Sequence, residues 1–272
     1  MHHRRSGTVA RMSYFSRVSE NSFRANEHAG GAWNLAEQHI APSFGLLAHA
    51  IETDRDARGN DHLVVARLSY DILGTVPVDA VVEIDVRVLR PGRTIELVEA
   101  ALTHQERAVV LARAWLMKRY DTSALRGSGL RPIPPPAEMP GWDPSAVWPG
   151  GFIASAEVRR VEEQPGRAVY WVRTPVPLLD GEQVSPLART AGLLDIANGM
   201  AVLVDPREVA FPNLDLTAHF FAEPAGDWVG FDTAVSIGPS GIGLTHSIIH
   251  DQTGPIGAVS QSLTVRPGSG LG

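Results

Sequence analysis

One stretch of the sequence places a carboxylate inside an apolar strand pattern. In FPNLDLTAHFF, residues 211–221, Asp215 stands between Leu214 and Leu216. Aspartate is a poor strand former, and a buried carboxylate is costly unless another group pairs with it. Burial among leucines would also make the carboxylate a stronger base, able to take a proton from a water molecule. The pattern therefore marks Asp215 as a candidate general base.

The sequence contains one unit twice, at a constant offset. Shifting the second half back by 147 positions lays AGLLDIAN, 191–198, over FGLLAHAI, 44–51, so that Gly-Leu-Leu coincides. The same shift superposes three further identities, which are Pro224 on Pro77, Asp232 on Asp85 and Arg266 on Arg119. A shared offset over long separations indicates an internal repeat.

Four positions are apolar in the first copy and polar in the second. They are Asp215 over Leu68, Ser236 over Leu89, Gln261 over Ala114 and Asp195 over Ala48. Such changes on three separate strands and a helix predict that the second copy keeps a polar site while the first supplies packing. The alternative is free variation at surface positions, and it applies best to Ser236, because serine is common everywhere.

Each copy has the same order of elements. The first has a hairpin near 14–26, a helix near 42–53 and strands near 62–73, 79–90, 93–104 and 107–119. The second begins with two strand-like runs, continues with a helix in SPLARTAGLLDIANGMAVLV that starts at Ser185 and Pro186, and ends with strands near 209–221, 227–238, 242–251 and 256–266. Serine followed by proline is typical of a helix start.

A helix followed by antiparallel strands buries its apolar surface if the sheet curls around it. We therefore predict an α+β fold, a tandem or double hotdog, in which an antiparallel sheet wraps around a central helix in each half. The N-terminal hotdog spans 12–122, a Pro/Gly-rich linker 123–151, and the C-terminal hotdog with the polar site 152–267. Two unrelated α+β domains are the alternative.

Composition excludes several classes of protein. Hydrophobic residues make up 44% of the chain, enough for a large core, and the absence of cysteine rules out disulfides and a thiol nucleophile. The net charge of −6 argues against a nucleic-acid partner. The start, MHHRRSGTVARMSYF, is basic without a long apolar run behind it, which predicts a cytoplasmic protein without signal peptide or membrane insertion. The scattered histidines predict no metal site.

Long segments of the sequence resemble a known family. NLDLTAHFF, WVGFDTAVSIGPSGIGLTHSIIHD and GPIGAVSQSLTVRP are similar to the C-terminal half of the TesB-like acyl-CoA thioesterases, and closer still to the actinobacterial proteins of that superfamily. SPLARTAGLLDIANGM and EQHIAPSFGLLAHAIE resemble its two helices. The resemblance implies hydrolysis of an acyl-CoA, or of an acyl-carrier thioester, with no cofactor beyond the coenzyme A of the substrate.

The resemblance also implies roles for particular residues. An Asp, a Ser/Thr and a Gln from three strands hold the hydrolytic water in this family, and by motif position these are Asp215, Ser236 and Gln261. The Gly-Gly pair before the first helix is replaced here by Ile40 and Ala41, at the position that binds the thioester carbonyl. A further departure is Phe221-Ala222, where relatives often have His-Arg.

Two helical residues complete the predicted site. Asp195 and Asn198 lie about one turn apart, so they either line the substrate cleft or brace the helix against the strands. Two other functions stay open at this point, a catalytically silent acyl-CoA-binding protein and a hotdog enoyl-CoA hydratase or dehydratase. A possible homo-oligomer is also left open, because a fused pair already supplies an internal pseudo-dimer.

Overall fold

The computed structural model describes residues 12–271. Residues 1–11, most of the basic start, lie outside the described residues. The prediction that the protein lacks a signal peptide depends largely on this segment, so the structure does not test it. No helix within 12–271 is long and apolar enough to cross a membrane.

The first copy consists of a short hairpin, one long helix and four long strands. In chain order these are β1 (Phe15–Arg17), β2 (Ser22–Ala25), α1 (Ile40–Ala57), β3 (Leu63–Ile72), β4 (Val81–Arg90), β5 (Ile95–His104) and β6 (Arg107–Lys118). The helix and the four long strands that the sequence predicts are confirmed, with ends within about two residues for most of them.

The predicted linker is part of the folded structure. It contributes a short edge strand, β7 (Gly141–Trp142), which pairs with the next strand of the sheet. Trp148 is buried, and its Nε1 donates to the Gly199 carbonyl oxygen at 2.8 Å. Proline and glycine content by itself predicts only a spacer. A single tryptophan such as Trp148 adds no periodic pattern that would reveal its packing.

The second copy repeats the order of the first, but its central helix is broken. It comprises α2 (Gly151–Ala154), β8 (Glu157–Gln164), β9 (Arg167–Arg173), α3 (Pro186–Ala191), α4 (Ala197–Met200), β10 (Val209–Ala210), β11 (Asp215–Phe220), β12 (Val229–Ile237), β13 (Ile242–Asp251), β14 (Gly254–Thr264) and β15 (Arg266–Pro267). The predicted start is confirmed, since the Ser185 side chain accepts from the Ala188 N–H and Pro186 is the first helical residue. The prediction of a single long helix is wrong, because α3 ends before Gly192 and the 3₁₀ turn Leu194–Ile196 leads into α4.

Within the described residues, thirteen of the strands form one antiparallel sheet that runs through both copies. Its order is β1-β2-β4-β5-β6-β3-β11-β14-β13-β12-β9-β8-β7. The copies join where β3 pairs with β11, with Leu216 opposite Tyr70. This order reads almost identically from the junction outward in either direction, which is the pseudo-twofold arrangement of a double hotdog. The predicted α+β fold is confirmed.

Helix α1 is enclosed over its first three turns. Phe44, Leu47 and Ile51 are fully buried, and the Phe44 ring stacks on Tyr70 of β3 at 4.1 Å between centroids. Burying an aliphatic or aromatic side chain of this size contributes about 1.5–3 kcal/mol. The helix and the sheet of the first copy therefore hold each other in place.

The two central helices touch through glycine. A Cβ at position 45 would lie 2.8 Å from the Ala188 carbonyl oxygen and 3.0 Å from the Gly192 Cα. Backbone atoms cannot yield as a flexible side chain does, so only glycine allows α1 and α3 to approach this closely.

Gly45→Ala is expected to destabilise the fold by about 1–3 kcal/mol, because forced separation of packed helices outweighs the helix propensity that alanine gains. Urea unfolding of the variant measures the loss. Thr53→Ala, at an exposed position of the same helix, is the control and should unfold within about 0.5 kcal/mol of the parent protein. A Gly45→Ala protein as stable as the parent would contradict this packing.

Candidate active site

Asp195 is a buried acid that the fold holds by one of its two oxygens. It lies in the 3₁₀ turn between α3 and α4 and is 6% exposed. Its Oδ1 accepts from Asn213 Nδ2 at 2.7 Å and from Gln261 Nε2 at 2.9 Å. Its Oδ2 accepts no hydrogen bond from any residue in 12–271. Two amides therefore orient the carboxylate and leave one oxygen for another partner.

The environment of Asp195 makes it a stronger base than an ordinary aspartate. Burial raises the pKa of Asp195, and the hydrogen bonds from Asn213 and Gln261 lower it, with a net value of about 6. Burial dominates because desolvation penalises the charged form more than two neutral amides stabilise it. An acid with this pKa is ionised at neutral pH and accepts a proton more readily than an exposed aspartate.

Next to Asp195, the inner face of the sheet carries polar side chains. Gln261 on β14 is paired with Thr245 on β13, and both are about 1% exposed. Gln261 Oε1 and Thr245 Oγ1 are enclosed and have no hydrogen-bond partner among the described residues. Asn198 donates to the Phe211 carbonyl oxygen at 3.1 Å, and its Oδ1 is likewise unpaired within 12–271. The inner face of the sheet therefore carries buried polar groups next to the amide that holds Asp195.

A histidine of the first copy faces this acid. His39 precedes α1, and its Nδ1 accepts from the Ala41 N–H at 3.2 Å and lies 3.9 Å from Asp195 Oδ2. The ring packs on Phe152 at 4.2 Å between centroids. Burial lowers the pKa of His39 to about 3. The imidazole is therefore neutral, and its contact with Asp195 is not an ion pair.

Asp195 and three of the polar residues around it open onto a cleft between the two copies. The cleft has a volume of about 390 Å³ and is lined by His39, Asp195, Asn198 and Asn213 together with apolar side chains, which include Trp33, Ile40, Ile72, Trp148, Ile153 and Met200. A volume of this order is typical of small-molecule sites. Another cleft, of about 500 Å³, lies beside Tyr14 and α3. We assign the site to the former because it contains the oriented acid.

Asp215 does not lie in this cleft. Leu216, its neighbour, is fully buried on the inner face, whereas Asp215 is partly exposed and its Oδ1 accepts from the Ser262 N–H at 2.7 Å. Ser262 is exposed on the outer face of β14. The expected burial of Asp215 between two leucines is wrong, because Leu214 is 55% exposed. Its carboxylate binds a backbone N–H of the neighbouring strand instead.

Ser236 also lies outside the cleft. It is exposed on β12, opposite Leu244, which is 45% exposed. Its counterpart in the first copy, Leu89, is 41% exposed, so this polar-for-apolar change is surface variation. The prediction that Asp215, Ser236 and Gln261 converge on one water is therefore wrong for the first two. Only Gln261 lies on the inner face.

The four predicted substrate-binding residues lie at or beside the cleft. Asp195 and Asn198 line it, as does Ile40. The Ala41 N–H is already bound by His39, so it is not available for a thioester carbonyl in this conformation.

Three residues of the site were missed in the sequence, namely His39, Asn213 and Thr245. Thr245 carried a usable signal, because the 147 offset lays it over Val98, which is fully buried. Asn213 stands two residues before Asp215, outside any regular pattern. His39 belongs to the first copy, whereas the 147 offset marks only residues that are polar in the second. Among residues 12–271, no group of three or more His, Asp or Glu side chains could hold a metal ion.

Solved structures with the same fold span nearly the whole chain. A putative thioesterase from Novosphingobium aromaticivorans is 22% identical, covers 92% of this chain and 98% of its own, and superposes with a TM-score of 0.69. Acyl-CoA thioesterase II TesB2 from Mycobacterium marinum is 17% identical, with coverages of 94% and 96% and a TM-score of 0.64. A hot dog fold protein of unknown function from Alicyclobacillus acidocaldarius is 15% identical, with coverages of 94% and 97% and a TM-score of 0.71.

Family models match both copies, although no protein of curated function matches this chain. Residues 30–117 match the acyl-CoA thioesterase N-terminal domain, and residues 131–265 match the acyl-CoA thioesterase C-terminal domain. The two models are consecutive halves of one family and together cover most of the sequence. The protein therefore belongs to the acyl-CoA thioesterase family and is a double-hotdog thioester hydrolase.

Proposed function

We propose that this protein hydrolyses acyl-CoA thioesters with apolar acyl groups by direct attack of a water molecule that Asp195 activates. The observation that carries the proposal is the carboxylate itself, anchored through Oδ1 by Asn213 and Gln261 while Oδ2 stays available. A carboxylate oriented in this way can bind a water and take its proton during attack, an effect of about 10²–10⁴ in rate.

The reaction needs no covalent intermediate on the protein. Water attacks the thioester carbon as its proton passes to Asp195 Oδ2, and the carbonyl oxygen becomes an oxyanion. Collapse of this intermediate breaks the C–S bond, and the proton held by Asp195 returns to the departing thiolate. The products are a carboxylic acid and the free thiol of coenzyme A, and Asp195 is ionised again.

The walls of the cleft support an apolar acyl group. Trp33 and Trp148 line the cleft and meet edge to face at 4.8 Å between ring centroids, and Phe211 packs edge to face against both, at 5.2 and 5.8 Å. Such a cluster offers a rigid apolar surface at little conformational cost. A buried acid beside this surface costs stability, as expected of groups kept for chemistry rather than for folding.

The direct test is an assay of thiol release from acyl-CoA substrates of increasing chain length. We expect turnover with straight-chain substrates and none without protein. Binding of acyl-CoA without thiol release would favour the catalytically silent alternative. Hydration of crotonyl-CoA would instead favour the hydratase.

The pH dependence of kcat/KM is expected to follow the ionisation of Asp195. With a pKa of about 6, the carboxylate is the proton acceptor only above that pH. The logarithm of kcat/KM is therefore expected to fall with unit slope below about pH 6 and to level off above it. Stopped assays between pH 4.5 and 8.5 measure this, and a flat profile down to pH 4.5 would contradict Asp195 as the base.

A further inference from the structure

We propose that His39 is a catalytic residue of this hydrolysis, and that its Nε2–H donates a hydrogen bond to the thioester carbonyl oxygen as that oxygen becomes an oxyanion. The inference rests on the proposed function, because it concerns the same cleft and the same reaction. It adds a group from the first copy to a site whose acid comes from the second.

The backbone determines which ring nitrogen of His39 carries the proton. The Ala41 N–H points at Nδ1 from 3.2 Å, so Nδ1 must hold a lone pair. A neutral imidazole with an unprotonated Nδ1 carries its hydrogen on Nε2. The start of α1 therefore fixes the tautomer in which Nε2 is the donor.

The Nε2–H is the polar group of the ring that is left to bind a substrate. The ring lines the cleft, and the side chain is 12% exposed. Nε2 has no hydrogen-bond partner among the described residues, and it is not one of their enclosed unpaired polar atoms. It is therefore a donor open to the cleft. Packing of the ring on Phe152 restricts its rotation.

His39 stays neutral through the reaction, which makes it suited to hydrogen bonding rather than to proton transfer. Burial lowers its pKa to about 3, so the ring is not protonated above pH 4 or so. A neutral donor held in place stabilises a developing oxyanion without reorganisation, and a low-dielectric site strengthens that bond.

The position of the ring relative to Asp195 suits attack on a carbonyl. Nδ1 is 3.9 Å from Asp195 Oδ2, so the acid and the ring border the same small space. A water bound to Oδ2 would then face the carbonyl carbon of a thioester whose oxygen is bound to Nε2–H. Attack then moves the π electrons of the C=O bond onto the oxygen that His39 holds.

The backbone at the start of α1 offers too few free N–H groups to bind an oxyanion alone. Of the first three helical residues, Pro42 has no N–H, and the Ala41 N–H is bound to Nδ1. Only the Ile40 N–H has no acceptor within 12–271. An oxyanion site normally combines two or more donors, so a side-chain donor beside the Ile40 N–H completes the set.

A matched pair of variants separates the two roles of the ring. Asparagine at position 39 can accept from the Ala41 N–H and is a preferred N-cap, but its amide ends short of the Nε2 position. Glutamine reaches that position with an N–H and is a poorer cap. We expect His39→Asn to lower kcat by about 10²–10³, the loss typical for one oxyanion donor. His39→Gln should retain at least ten times the kcat of His39→Asn.

Two further measurements distinguish catalysis from folding. His39→Asn should unfold at the same temperature as the parent protein, and it should bind a thioether analogue of acyl-CoA with unchanged Kd, because that analogue has no carbonyl. Full activity of His39→Asn together with a loss in His39→Gln would show that the ring only caps α1, and would overturn this inference alone. A parent protein without thioesterase activity would overturn both this inference and the proposed function.

Discussion

Asp195→Asn is expected to abolish thioester hydrolysis and, at neutral pH, to make the protein more stable. The amide cannot take a proton from water, so we expect kcat to fall by at least about 10³. Asparagine has the same shape, and its carbonyl oxygen can still accept from Asn213 Nδ2 and Gln261 Nε2, as Oδ1 of the acid does. The site should therefore stay folded.

The gain in stability follows from the raised pKa. The ordinary value for aspartate is 3.8, and the folded protein raises it to about 6. Between these values the folded state binds more protons than the unfolded state, so this group favours folding at low pH and loses that contribution as the pH rises through 6. At pH 7.5 the cost of keeping Asp195 charged is on the order of 3 kcal/mol, and asparagine removes it.

Thermal unfolding at two pH values tests this argument. Asp195→Asn should have a higher Tm than the parent protein at pH 7.5 and the same Tm at pH 4. Asp85→Asn, an exposed change on β4, is the matched control and should alter neither Tm nor turnover. A variant that keeps its activity would remove Asp195 from the mechanism, and a lower Tm at pH 7.5 would show that the charge is stabilised in the fold.

The fold could be predicted because its signals are periodic. The apolar alternation of strands such as β5 and β6, and the enclosed apolar surface of α1, each repeat over ten or more residues. The break at Gly192 could not be predicted in the same way. The equivalent glycine of the first copy, Gly45, lies inside the unbroken α1, so a glycine at this position does not by itself end a helix.

The site was predicted only in part because a β-strand alternates between two faces. The 147 offset keeps Gln261 over Ala114 on the inner face, and both are buried. For Asp215 the offset fails by one residue: Leu68 is buried, and its counterpart by burial is Leu216. A slip of one residue exchanges inner and outer faces. The offset between the copies therefore marks the correct type of substitution, from apolar to polar. On β11, however, it marks a residue of the outer face.

Gln261→Leu is expected to weaken catalysis and move the pH profile. Gln261 Nε2 donates to Asp195 Oδ1, and a hydrogen bond to a charged group contributes about 1.5–3 kcal/mol. Without it the anion is less favoured, so the midpoint of the kcat/KM profile should move from about pH 6 upward by about one to two pH units. The carboxylate also loses one of its two anchors, and we expect kcat at pH 7.5 to fall about 100-fold.

A variant on the opposite face of the sheet is the control that decides between the two acids. Asp215→Asn keeps a side-chain oxygen for the Ser262 N–H and lies outside the cleft, so its kcat should stay within about threefold of the parent value. Partial recovery of Gln261→Leu at pH 9 would identify a positioning role, because a merely misfolded site would not recover as the pH rises. The reverse result, loss of activity in Asp215→Asn with a normal profile in Gln261→Leu, would place the reaction on the outer face and contradict the assignment to Asp195.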